Sequence, residues 1–593
     1  MAFAARGPEE GAFYRTVFVI AALSSGALVW LIYRCEAPST RAVLLWAMLF
    51  RLLLLPLPPT LSDDGYRYVW DGMLVAQEGI NPYRYRPSDP ALSSLHDEPI
   101  YSRLNSASYY SIYPPISQLF FAGAGALYPL GWAWSWYAVK GGILLVELGG
   151  LWLLSRLVSG RALLLYAWHP LILVEVAGQA HTEALVVLPL LLTFWAVRRG
   201  RGGVAAAALT VAGWVKLIPL LLLPFMLRRV GWRWLGVSAL VSVAVVVPFA
   251  APYVLPHWRA SLDLYVRLFE FNAGPYYALK GMLSIVTGED VSKALGPALQ
   301  LLFIAGTLAL FRWDRTRKAR VEQALFTGWA LFLVTATTVH PWYLIPLVAI
   351  LPLLEYNMPW LWLSTLSMAT YLRYAGPSWG YAAAVSLGWG GWGLLILTGP
   401  HPLAWLMRRR ARAKWDRVAP SLGPLKAGAR LLDLGAGDGY VGERASEAVG
   451  ASVTLVDVVD FNQTRLPLIR YDGRSLPFPP NHFDGTLLLY VLHHADDPSG
   501  VLQEAGRVTR GRIVILESVF NTSFQRWALY RLDRIANRLR SGGAMENQEP
   551  FLHFRDAPSW HAMMKAAGLT VLYEEKFGSL IHSQALFVVE RRP

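Results

Sequence analysis

Cysteine is almost missing from this chain: Cys35 is the only one among 593 residues. An intrachain disulfide and a cysteine-based metal site are therefore excluded. Charge is also scarce, at 16% of residues against 54% hydrophobic ones. A soluble chain of this length carries more charge than that. Acidic residues are outnumbered, 40 Asp and Glu against 54 Lys and Arg, which leaves a net charge of +14. The basic residues cluster between apolar runs, at Arg198–Arg201, Arg228–Arg233, Arg312–Arg320 and Arg408–Lys414. That placement suits the positive-inside rule and anionic lipid headgroups, so a bilayer is the expected partner and nucleic acid is not. No basic n-region precedes the first apolar run, and MAFAARGPEE is expected to be retained.

Apolar runs of spanning length predict thirteen membrane helices, near 14–33, 42–58, 114–131, 136–155, 162–178, 182–198, 203–227, 234–251, 295–311, 324–339, 341–355, 358–373 and 379–398. Methyl-donor chemistry, argued below, needs a cytosolic C-terminal domain. Counting back from it places loops 59–113 and 252–294 and the His340–Pro341 turn outside. Basic loops 228–233, 312–320 and 408–414 then lie inside. Arg156, Arg161 and Arg198–Arg201 break the rule, so part of 114–227 is expected to be half-helical or re-entrant. Gly213, Lys216 and Pro219 within one apolar run point to a broken helix there. The 25 tryptophans cluster near span ends, as an interfacial belt does.

The loop after the second span begins LSDDGYRYVWDG, with Asp63 and Asp64 at the membrane surface. Adjacent carboxylates repel, which raises the pKa of one of them. Such a group can take the proton of a sugar hydroxyl as it attacks an anomeric carbon. Glu147, Glu175, Glu183 and Lys216 are costly in lipid and are expected to face a polar cavity or one another. The ordered segments SDDGYRYVWDG, GINPY, YPPISQ, GQAHTEAL, Lys216-Leu-Ile-Pro219 and HPWYLIP resemble the GT-C superfamily. Within it they are most similar to bacterial mannosyltransferase-like proteins that use polyprenyl-phosphate sugars, over roughly residues 40–350. The resemblance implies a catalytic acid or acid pair at Asp63 and Asp64. It places His181, Glu183, Lys216, His340 and Tyr343 around the donor, with Lys216 on its phosphate. Thr182 stands where relatives carry Asn. A divalent metal at this site is left open.

After residue 400 the pattern changes. Residues 401–425 read as a basic linker, and 426–593 alternate strand and helix as a doubly wound sheet does. A closing pair, LTVLYEE and QALFVVE, reads as an edge hairpin. The run LLDLGAGDGYVGERA passes from strand through a glycine loop into a helix. It satisfies the dinucleotide pattern G-x-G-x-x-G, but Asp433 two residues before the first glycine would repel a pyrophosphate and suit a methyl donor's amino group. With YDGRSLPFPPNHFD, LLYVLHHADDP and LQEAGRVTRGRIVILES, the set resembles class I methyltransferases of the type 11 group across roughly 415–590. The resemblance implies S-adenosylmethionine as cofactor. Asp433, Gly435, Gly437 and Gly439 would hold its methionine part, Asp457 its ribose and Asp472 its adenine edge. His493 and His494 stand where the acceptor enters, as catalytic candidates either of which could take the proton of an acceptor hydroxyl near neutral pH, and Asp484 reads as structural. No metal ligands are expected in this domain.

The expected architecture is a GT-C-like multi-pass helical domain over 1–400 and a Rossmann-like methyltransferase domain over 426–593. The expected function is transfer of a sugar, mannose by resemblance, from a polyprenyl-phosphate donor to a glycan or lipid acceptor at the outer face of the plasma membrane. The competing reading is a polytopic lipid or glycan flippase with a regulatory methyl-donor-binding domain.

Overall fold

A computed structural model describes residues 38–267, 269–354, 358–374, 378–399, 402–426, 428–541, 552–579 and 582–592. The expected first span, 14–33, lies outside the described residues. The chain divides into two units, Met1–Pro400 and His401–Pro593.

The first unit is helical. Among the described residues, four helices are long and apolar enough to cross a membrane: Trp132–Ser155, Trp232–Phe249, Ser292–Thr316 and Trp379–Thr398. Gly160–Ala167 and Pro170–Gly178, bent by 45°, make a fifth if taken together. Among the described residues, fewer helices than expected are long and apolar enough to span, and proline explains part of the difference. The segment 341–355 is broken by Pro341, Pro346 and Pro352 into a 3-10 turn, a short helix and a second 3-10 turn. The segment 114–131 holds the 11-residue helix Pro115–Gly125, about 16 Å long and too short for a bilayer, followed by a 3-10 turn at Tyr128–Leu130. The segment 203–227 breaks at the expected place: Gly202–Val215 ends, Lys216 is extended, and a new helix starts at Ile218.

Polar contacts define the two ends of this bundle. At one end Arg198 pairs with Glu322 at 2.7 Å, and Arg228 and Arg229 grip Asp314 at 3.1 and 2.7 Å. Arg320 also donates to the Leu353 carbonyl there. At the other end Gln179 accepts from the Thr60 and Leu61 amides at 3.0 and 2.8 Å. Asn81 donates to the Phe249 carbonyl, and Asn272 to the Val339 carbonyl. Between the ends, Arg51 and Glu147 form a fully buried two-point ion pair, with both bonds at 2.7 Å. Glu147 is thus a structural partner rather than a site residue. The helix Asp64–Ala76 is docked by small residues: a side chain at Gly72 would strike the Phe121 backbone, and one at Gly125 would strike the Gly72 backbone. Such close backbone approach fixes the position of Asp64 at the helix start.

The second unit is built on a seven-stranded sheet. Its strands are β1 (Arg430–Leu434), β2 (Ser452–Asp457), β3 (Leu468–Arg470), β4 (Phe483–Leu489), β5 (Thr509–Val519), β6 (Leu569–Gly578) and β7 (Ser583–Arg591). The order is β3-β2-β1-β4-β5-β7-β6. The first five pair in parallel, and β7 runs antiparallel between β5 and β6, which makes β6–β7 the edge hairpin. The central strands are apolar on both faces, as a sheet covered on both sides requires. The expected linker is instead mostly a helix, Pro402–Val418. Its basic residues mask an apolar stripe at Ala411, Trp415 and Val418, spaced i, i+4 and i+7, which is buried in the core of this unit.

The Arg51–Glu147 pair generates a test. Glu147→Ala strands a buried guanidinium and is expected to cost on the order of 3 kcal/mol. Arg51→Met combined with Glu147→Leu is expected to recover most of the loss. Thermal unfolding of the detergent-solubilised chain reads both, and an additive double variant would contradict the assignment.

Candidate functional sites

In the first unit, residues from five distant segments meet at the end of the bundle that holds Thr60 and Gln179. Asp64 Oδ2 lies 3.9 Å from His181 Nδ1, and His181 Nε2 lies 3.2 Å from Glu175 Oε2. Lys216 pairs with Glu183 at 2.9 Å. The His181 ring stacks on Trp342 at 3.9 Å, and Trp342 stacks on His340 at 4.3 Å. Lys216 lies over the rings of Tyr113 and Tyr343, at 5.5 and 6.0 Å. Asp64, His181, Glu183, Lys216, His340 and Tyr343, all singled out from the sequence, are therefore brought together. Asp63 occupies the N-cap position before the Asp64–Ala76 helix.

The local backbone explains this convergence. Leu173–Gly178 is a π-helical turn, and Ala180 follows with φ +57. Both are unusual conformations that cluster at functional positions, and together they aim Glu175 and His181 at Asp64. Burial raises the Asp64 carboxyl above its ordinary pKa; His181 and Lys216 pull it down, while Glu183 and Asp63 push it up. Burial, helped by His181 and Lys216, lowers His340 to about 3, so that ring is neutral at physiological pH. Glu175, expected only to face a polar cavity or another charge, carries a hydrogen bond from Tyr371 at 2.9 Å, and Trp342, of the HPWYLIP turn that the resemblance put near the donor, supplies the ring between two histidines. Below them, Asp71 binds Arg67, Ser111 and Gln118 in a fully buried network that braces the same helix.

The second unit holds a cavity of about 1140 Å³ at the C-terminal ends of the parallel strands. The glycine loop after β1 forms one wall. Gly435 and Gly437 have φ +76 and +58, a region closed to most side chains, which is why glycine stands there. Asp433, Asp457 and Asp472 all line the cavity. Asp457 closes the loop by accepting the Gly437 and Val459 amides at 2.8 and 3.2 Å. Asp472 accepts the Arg474 and Ser475 amides, both at 2.9 Å, and so shapes its own turn at the cavity rim. Asp433 Oδ2 is buried with no hydrogen-bond partner among the described residues. Burial, reinforced by Asp438 and Asp457, pushes that carboxyl up to about 7. Asp484 lies at the opposite end of the sheet, where Arg430 and Arg510 hold it, as a structural acid would be.

His493 and His494, in the turn after β4, also line the cavity. His493 Nδ1 is 2.6 Å from Glu517 Oε2, and Glu517 Oε1 accepts the Val491 and Leu492 amides. Asp533 faces both histidines, at 3.8 and 3.6 Å. Glu517 and Asp533 were not found from the sequence. Glu517 is a lone acid in the apolar strand RIVILES, a signal strong enough to have flagged it.

Residues 4–236 match the family described as alpha-(1->6)-mannopyranosyltransferase, N-terminal domain, and residues 406–574 match a methyltransferase domain. The chain thus joins a segment that matches the mannopyranosyltransferase N-terminal domain to one that matches a methyltransferase domain. A demethylmenaquinone methyltransferase of Paenarthrobacter aurescens is 33% identical over 113 residues, covering 18% of this chain and 44% of that protein. A tRNA U34 carboxymethyltransferase of Marinobacter nauticus is 31% identical over 138 residues, covering 21% and 42%. The chain thus spans about half the length of the curated relatives it matches. Among solved structures, a SAM-dependent methyltransferase from Aquifex aeolicus is similar at 16% identity and a TM-score of 0.24, covering 33% of this chain and 96% of that one.

The orphaned Asp433 oxygen fits a ligand that brings an ammonium group into the methyltransferase cavity, and the residues present suit S-adenosylmethionine. Without ligand, Asp433 has the opposite effect. Its pKa is raised by folding, so the unfolded chain gives up the proton first, and stability falls as pH rises from about 4 through 7. Asp433→Asn is expected to remove that dependence and to raise the stability of the ligand-free second unit at pH 8 by on the order of 1–4 kcal/mol, with little change near pH 4. Urea unfolding of the full chain at both pH values checks this; an identical pH dependence in parent and variant would contradict it.

Proposed function

We propose that this chain is a two-activity membrane enzyme, a glycosyltransferase of the GT-C type fused to a methyltransferase that uses S-adenosylmethionine. The observation that carries the first half is the convergence of Asp64, His181, Glu183, Lys216 and His340 at one end of the helical bundle. In this reading the donor is a polyprenyl-phosphate hexose, mannose by family. The Asp64 carboxylate takes the proton of an acceptor hydroxyl as that oxygen bonds to the anomeric carbon. The bond from that carbon to the phosphate oxygen breaks, and polyprenyl phosphate leaves with its charge met by Lys216. His181, wedged between Asp64 and Glu175 and stacked on Trp342, keeps Asp64 aimed.

The contacts at the bundle ends support an orientation. Loops 198–201, 228–233 and 312–320 share one end, and the Asp64 cluster lies at the other. Lys216 lies at the Asp64 end and Arg228 and Arg229 at the other, so 203–227 runs to the Asp64 end and back. With that return, and with 114–131 not changing sides, Arg198–Arg201 joins the other basic loops on the inner side, and the exception in the charge pattern disappears. The glycosyl site then faces outward, and the methyltransferase domain lies in the cytoplasm.

In the second unit S-adenosylmethionine supplies a sulfonium methyl group open to in-line attack. Asp433 receives its amino group, Asp457 and Asp472 mark the ribose and adenine edges, and the His493–His494 wall receives the acceptor.

Membranes carrying Asp64→Asn are expected to lose at least about 100-fold of mannosyl transfer from polyprenyl-phosphate mannose, the scale of a missing general base. Methyl-donor binding by the same membranes should be unchanged. Gly437→Arg should do the reverse, abolishing S-adenosylmethionine binding and sparing sugar transfer. Full transfer by Asp64→Asn, or movement of labelled lipid without any new glycosidic bond, would overturn the glycosyltransferase reading.

A further inference from the structure

The part of the methyltransferase cavity formed by the turn after β4 carries a set of groups that alignment of a methyl donor does not need. His493 Nε2, His494 Nε2 and Asp533 come from the turn after β4 and from the helix Ser523–Ser541. One ligand atom from each lies within 4.8 Å of the other two. The nearest approaches are His493 Nε2 to Asp533 Oδ1 at 3.8 Å and His494 Nε2 to Asp533 Oδ2 at 3.6 Å, one to each carboxylate oxygen. Tetrahedral coordination with bonds of about 2.1 Å sets ligand atoms roughly 3.4 Å from one another, so the three groups would draw together on an ion.

His493 shows how the set is prepared. Its side chain is 1% exposed, and its Nδ1 is bound at 2.6 Å to the fully buried Glu517. Glu517 is itself fixed by two backbone amides. With Nδ1 donating its proton to that carboxylate, the tautomer leaves the Nε2 lone pair directed at the cavity. Nε2 makes no hydrogen bond among the described residues. Phe554 stacks on the ring at 4.5 Å and holds its plane. A carboxylate behind a histidine whose other nitrogen is free is the arrangement that orients metal-binding imidazoles.

We propose that His493, His494 and Asp533 bind a divalent transition-metal cation at the acceptor end of the methyltransferase cavity. Two imidazoles and one carboxylate suit Zn2+ or Mn2+ and leave at least one coordination position toward the cavity. An acceptor hydroxyl bound there loses its proton to solvent more readily. Its oxygen then forms the bond to the methyl carbon, while the carbon–sulfur bond of the donor breaks. The cation thus selects acceptors that offer a hydroxyl oxygen. This inference rests on the methyltransferase reading above.

The test uses the full detergent-solubilised chain, stripped with chelator and titrated calorimetrically with Zn2+ and, separately, Mn2+. S-adenosylmethionine is titrated into the same samples. The parent is expected to bind at least one cation that His494→Ala and Asp533→Ala each weaken at least about 100-fold. Glu517→Gln should weaken it about 10- to 100-fold, as loss of an outer carboxylate does. Methyl-donor affinity should stay within a few-fold in the His494 and Asp533 variants, which shows that they fold. Equal cation binding by parent and variants, or none by the parent while it binds S-adenosylmethionine, would overturn the cation site alone. A parent that binds no S-adenosylmethionine would overturn the methyltransferase reading itself.

Discussion

An ionised side chain removed from water must find an opposite charge or a set of hydrogen-bond donors, and this requirement organises both halves of the chain. In the helical unit it is met three times in succession toward one end of the bundle. Arg51 and Glu147 neutralise each other between helices, Arg67 and Asp71 do so one turn apart within the Asp64–Ala76 helix, and Lys216 and Glu183 do so at the cluster itself. The first two pairs are closed and hold helices in place. The last is 22% exposed at its lysine, and beside it Asp64 is 31% exposed. Chemistry belongs where the pairing is incomplete. The methyltransferase unit follows the same rule, with Asp433 and His493 each keeping one buried atom without a hydrogen bond at the cavity wall.

Residues carrying charge within apolar runs were the legible part of the first unit. Glu183 and Lys216 stand out because lipid tolerates them poorly, and Asp64 because it adjoins a second carboxylate just past an apolar run. The helix count was less legible. Hydropathy alone reads 203–227 as one run, and only Gly213, Lys216 and Pro219 within it announced the break found at Lys216; it reads the 114–131 run as a span although its α-helix stops at Gly125. Apolar composition reports what a segment can sit in, not where its backbone turns. Glu147 shows the same limit: the sequence marks it as costly, and only the position of Arg51 on another helix shows that it is structural.

In the second unit the glycine loop, Asp433 and Asp457 were readable because a tight turn against a ligand demands particular residue types at fixed spacing. Glu517 and Asp533 were not assigned, since their meaning depends on a turn after β4 that brings His493 between them. The helix Pro402–Val418 was hidden by its own arginines, which outnumber the apolar stripe they flank. Local chemistry is written locally, whereas a partner supplied by a distant strand or helix becomes visible only when the fold is known.

The most direct measurement of the central claim is a structure of the full chain in lipid nanodiscs with a non-transferable polyprenyl-phosphate sugar analogue. The account places the phosphate within hydrogen-bonding distance of Lys216 and the anomeric carbon on the Asp64 side of His181, at the bundle end opposite Arg228 and Arg229. A phosphate bound at the Arg228–Arg229 end, or a sugar remote from Asp64, would contradict it.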